Sequence, residues 1–122
     1  MSESTPRAPR GTGNAGKRLW NSVVEDYDLD QHELSLLGEA ARVTDRLDAL
    51  NAVLATEGVM SPAGDGKVHP ALVEARQQEI TLARLLAALR MPSGEEGDQQ
   101  ASARPQRRGG ARGAYGIRGA VS

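Results

Sequence analysis

The sequence predicts an all-α fold, a short N-terminal helix followed by a long antiparallel helical hairpin, with basic disordered tails at both ends. Three observations carry that prediction. Leu36, Ala40, Val43, Leu47, Leu50 and Leu54 recur at alternating spacings of four and three, a heptad seam. Leu72, Val73, Ile80, Leu82, Leu85, Leu86 and Leu89 give a second, broad apolar face that Pro92 closes. Ten of the 14 glycines lie outside residues 19–92, where few apolar side chains remain to form a core.

The first helix is expected over roughly Gly16–Asp26, with Leu19, Trp20, Val23 and Val24 on one face. It is short and needs tertiary support. Tyr27–Leu29 reads as a connector. The second helix is expected over Gln31–Glu57, about 40 Å at 1.5 Å per residue. Asp30 followed by Glu33 is a capping-box pattern, and Gly58 supplies the stop. Leu34 and Leu37 widen its apolar stripe. Gly38 costs this helix about 1 kcal/mol against alanine unless a close neighbour uses the gap. Arg42, Asp45, Arg46 and Asp48 read as charges on a solvated face.

Between the long helices, Val59-Met60 and Lys67-Val68 flank a Pro-Ala-Gly-Asp-Gly turn, so a tiny β-hairpin or an ordered loop is expected. The third helix begins at Pro70 with His69 in the N-cap position. A compact loop between two long helices makes an antiparallel hairpin.

The chain of 122 residues divides into a disordered basic arm (1–15), a helical oligomerisation domain (16–92) and a disordered Gly/Arg-rich tail (93–122). About 75 residues left to fold make a marginal monomer, which favours self-association. The net charge of −1 hides a segregation. Residues 1–18 sum to +3, residues 19–92 to −6 and residues 93–122 to +2. Basic flexible ends commonly meet a polyanion. The absence of cysteine excludes a disulfide scaffold, a thiolate metal site and a cysteine nucleophile. No apolar run is long enough for a transmembrane helix, and the first residues lack the apolar stretch of a secretory signal.

The motifs suggestive of chemistry fail on inspection. Gly11 to Lys17 fits both G-x-G-x-x-G and G-x-x-x-x-G-K, yet Arg18 stands where a phosphate loop needs Ser or Thr, and a Pro/Arg-rich stretch precedes it in place of a strand. Asp26, Asp28 and Asp30 open like a calcium loop, but Gln31 and Leu37 occupy the positions that require Gly and Glu. His32 and His69 are the only histidines and are far apart. These readings point to a non-enzyme with no catalytic residue, no metal and no cofactor. Trp20 reads as an anchor between helices in preference to a base-stacking side chain, and Tyr115, among glycines and arginines, is the better stacking candidate.

Taken in order, Gly16-Lys17-Arg18-Leu19-Trp20, Tyr27, Leu29, Glu33, Leu34, Leu37, Asp45-Arg46, Leu50, Gly58, Gly66, His69-Pro70-Ala71-Leu72, Arg76 and Leu89 make residues 16–92 resemble the small subunit of the phage terminase, the DNA-packaging factor of tailed bacteriophages. The resemblance implies a homo-oligomeric ring of about eight to twelve chains. It also implies binding of double-stranded viral DNA, presentation of that DNA to the large terminase subunit, which carries the ATPase and nuclease, and action in the host cell cytoplasm without a membrane. Many terminase families carry an N-terminal helix-turn-helix, and the short first helix here departs from that pattern.

The expected DNA contacts are Lys17, Arg18, Arg104, Arg107, Arg108, Arg112 and Arg118, many weak phosphate contacts summed over a ring. The expected oligomer interface is Trp20, Leu36, Val43, Leu47, Leu50, Leu54, Ile80, Leu82 and Leu86. The alternatives are a helical adaptor that binds only protein and a small DNA-binding regulator of two or four chains.

Overall fold

The computed structural model describes residues 5–90 and the backbone of residues 106–107. Its elements are α1 (Asn14–Val24), β1 (Tyr27–Asp28), α2 (Gln31–Glu57), α3 (Pro70–Leu89) and β2 (Gln106–Arg107). The fold is all-α in character, with α2 and α3 forming the long hairpin and α1 packed on its base.

The expected caps of α2 form. Asp30 accepts the Glu33 N–H at 2.9 Å, and the Glu33 carboxylate accepts the Asp30 N–H at 2.8 Å. Both donors are among those a helix start leaves without intrahelical partners. Gly58 ends the helix at φ 84°, where a side chain is strained. At α3, Pro70 occupies the first turn and the His69 ring accepts the Ala71 N–H. The connecting loop is a minimal hairpin. Met60 and Val68 form a single antiparallel bridge, flanked by Ser61 N–H to Lys67 O and His69 N–H to Val59 O, both 2.8 Å.

Two apolar clusters run up the hairpin. At the base, Trp20, Val23, Val24, Tyr27, Leu37 and Leu89 are buried together, with Leu19, Leu29, Leu34, Leu36 and Leu86 packed around them. Further up, Val43, Leu47 and Ala75 are buried, flanked by Leu50, Leu54, Leu82 and Leu85. The base has three helices to close it. The upper part has only α2 and α3, which share a single mutual face.

Four expectations change. The first helix runs Asn14–Val24, earlier than Gly16–Asp26, because an acceptor from α2 caps its start (below). Residues 5–13 are not a free arm. The Trp20 indole N–H donates to Pro6 O at 2.9 Å, Thr12 donates to Pro9 O from both its N–H and its hydroxyl, and Ala8 packs on the basal cluster. Tyr27-Asp28 is a strand rather than a connector, paired antiparallel with Gln106-Arg107. Within the predicted disordered tail, residues 106–107 are therefore strand, and the remainder of 93–122 lies outside the described residues. At Gly38 an added Cβ would lie 3.4 Å from Pro9 Cγ and 3.9 Å from Trp20 Cζ3, ordinary contact distances, so no neighbour fills the gap.

Candidate functional site

The glycine-rich segment before α1 is a helix N-terminus, and its anion is internal. Gly13 has no side chain with which to cap α1. The Asp45 carboxylate, one face of α2 away, takes that role, accepting the Gly13 N–H on Oδ2 and the Gly16 N–H on Oδ1, both at 2.7 Å. Free N–H groups and the helix dipole make such a terminus attractive to phosphate. Here a carboxylate already fills the position. Asp45, expected on a solvated face, is corrected to an interhelical cap. Gly16 permits the approach, since a Cβ there would stand 2.5 Å from the Ala41 carbonyl oxygen.

Of the expected interface residues, three are interior to the single chain. Trp20 is 3% exposed, Val43 1% and Leu47 9%. The seam residues Val43 and Leu47 face α3 of their own hairpin, and Trp20 is held by the ordered N-terminal segment, so none of the three is on offer to a neighbour. Leu36, Leu50, Leu54, Leu82 and Leu86 are half-buried, and Ile80 is exposed. The structure adds residues outside the expected interface: Val53, Val59, Met60, Val68 and Val73 are large apolar side chains open to solvent on the upper hairpin and its loop. Val73 and Ile80 stand two turns apart on one face of α3.

Lys17 and Arg18 are exposed on α1. The backbone of Arg107 is committed to the pairing with Tyr27, while Arg104, Arg108, Arg112 and Arg118 lie outside the described residues, as does Tyr115. In the sequence Arg7 and Arg10 stand out only as charge. In the structure both line an open groove of 560 Å³ between the N-terminal segment and α1, together with Lys17. The signal was the Pro-Arg-Ala-Pro-Arg spacing, in which prolines stiffen the backbone that carries the cations.

His69 and Glu39 make contacts within the fold. His69 is buried. Its Nδ1 accepts the Ala71 N–H at 2.9 Å, so Nε2 carries the proton and donates to Glu57 Oε1 at 2.7 Å. The ring thereby ties the end of α2 to the start of α3. Glu39 pairs with Arg42 one turn on, and this hydrogen bond holds its carboxyl below the usual range. His32 is exposed. Among the described residues no group of three or more His, Asp or Glu side chains could hold a metal ion, and no helix is long and apolar enough to cross a membrane.

No protein-family model matches the chain, and neither curated proteins nor solved structures give a match.

Proposed function

We propose that this chain is a non-enzymatic, self-assembling DNA-packaging factor of the small-terminase kind. The observation that carries the reading is the uncovered upper hairpin. Val53, Val73 and Ile80 on the helices and Val59, Met60 and Val68 in the loop are exposed, beside half-buried Leu50, Leu54 and Leu82. Exposed apolar side chains concentrated on one part of a small domain mark an interaction surface. A hairpin repeated around a ring covers such faces with its neighbours'.

Many of the residues that carry the resemblance fall at structural positions of the fold. Leu19, Trp20, Tyr27, Leu29, Leu34, Leu37 and Leu89 belong to one cluster at the base. Gly16 and Asp45 meet across α1 and α2, and His69-Pro70 starts α3. These quoted residues help to hold three helices in their mutual arrangement, while Lys17, Arg18, Arg46 and Arg76 of the same set are exposed. In this reading the ring presents basic edges to double-stranded viral DNA, hands the DNA to the large terminase subunit and works in the host cell cytoplasm.

The test is binding of fluorescently labelled duplex DNA at physiological salt, followed by anisotropy. Saturable binding that weakens linearly in log–log with salt is expected. Absence of binding overturns the reading in favour of a protein-only adaptor.

A further inference from the structure

We propose that the groove between the N-terminal segment and α1 grips the phosphodiester backbone of duplex DNA through Arg7, Arg10 and Lys17. The proposal rests on the DNA-binding reading above and assigns it a place.

The groove is lined by residues 5–12 on one side and by Lys17 and Asn21 of α1 on the other. Three cationic side chains line it and no carboxylate does. Among the described residues no acidic group pairs with Arg7, Arg10 or Lys17. Thr5 and Asn21 add neutral hydrogen-bonding groups to the lining. Arginine and lysine side chains with uncommitted donors are the common protein contacts to phosphate oxygens.

The cations sit on ordered backbone. Trp20 holds Pro6 through its indole N–H, and a turn closes from Thr12 N–H to Pro9 O at 3.1 Å. Gly11 in that turn has φ 89°, which a side chain would strain. Pro6 and Pro9 flank Arg7 and precede Arg10. A scaffold fixed before binding loses less entropy when the ligand arrives. The attraction does not depend on the α1 amides, because Asp45 already occupies those at Gly13 and Gly16.

The rest of the surface orients the ligand. Residues 31–89, the hairpin with its loop, carry five basic and eight acidic side chains. A polyanion is repelled from the hairpin and admitted at the arm and α1. At 560 Å³ the groove is open and much larger than one phosphate ion, as suits a chain of phosphates that runs past it.

The experiment compares the full chain with two triple variants matched in charge. Arg7→Gln/Arg10→Gln/Lys17→Gln empties the groove, and Lys67→Gln/Arg76→Gln/Arg84→Gln removes three exposed cations from the hairpin. All six side chains are exposed, so both variants keep the fold, checked by circular dichroism. Affinity for a labelled duplex is measured by anisotropy across a salt series. The groove variant is expected to bind at least about tenfold more weakly, with a salt slope reduced by about 2 to 3, near 0.9 per lost phosphate contact. The hairpin variant is expected to stay within about twofold of the parent, as its cations lie off the binding edge. Equal losses in both variants, or an unchanged groove variant, overturn the groove while the DNA-binding reading stands. Failure of the parent chain to bind overturns both.

Discussion

The backbone N–H of Gly16 points into the Asp45 carboxylate at 2.7 Å, joining the first turn of α1 to the middle of α2. Gly16 supplies closeness and Asp45 supplies charge, and the two contributions separate experimentally.

Closeness is tested by alanine. At Gly16 a Cβ would lie 2.5 Å from the Ala41 carbonyl oxygen, 2.8 Å from Asp45 Oδ2 and 2.8 Å from Thr12 Cγ2. Backbone cannot step aside as a flexible side chain does, so α1 must lift off α2. Gly16→Ala is expected to cost about 2–3 kcal/mol in urea unfolding. Gly38→Ala is the counterpart. Its Cβ meets nothing nearer than 3.4 Å, and alanine is the better helix former, so a gain of about 0.5–1 kcal/mol is expected.

Charge is tested at Asp45. Its two oxygens each accept one N–H. Asn keeps the shape but offers a single acceptor oxygen, so Asp45→Asn should lose about 1 kcal/mol and Asp45→Ala about 2 kcal/mol, measured by denaturant titration. Equal stability of all three proteins would remove the capping role.

His69 does two jobs with two nitrogens, and substitution divides them. Asn can cap α3 but cannot reach Glu57 with the same geometry, whereas Ala does neither. His69→Ala is expected to lose about 1–2 kcal/mol and His69→Asn about half of that, again by denaturant titration. Glu57→Gln keeps an acceptor for Nε2–H and should stay close to the parent.

The readable parts of the fold were those written in local sequence. Asp30 and Glu33 are three residues apart, and His69 adjoins Pro70, so both caps lie within one helical turn of what they cap. The spacing of Ala40, Val43 and Leu47 marks the buried seam for the same reason. The role of Asp45 is not legible in sequence because its partners, Gly13 and Gly16, stand about 30 residues earlier, and a carboxylate between two arginines looks like any surface charge. The order of residues 5–13 was hidden because it comes from one indole and a turn, with almost no apolar area to signal it. The candidate assembly face was legible only in part. Periodicity identifies apolar residues but cannot divide those that close a hairpin, such as Val43 and Leu47, from those it leaves open, such as Val73 and Ile80.

Self-assembly through the upper hairpin is read out by the native mass of the protein. Light scattering or native mass spectrometry of the purified full chain at moderate salt should give one discrete closed assembly of about eight to twelve copies. Val73→Glu/Ile80→Glu, which places two charges on an exposed face without entering the core, should reduce that assembly to folded small species. A parent chain that runs as a monomer or dimer contradicts the claim, and so does an assembly that the double variant leaves intact.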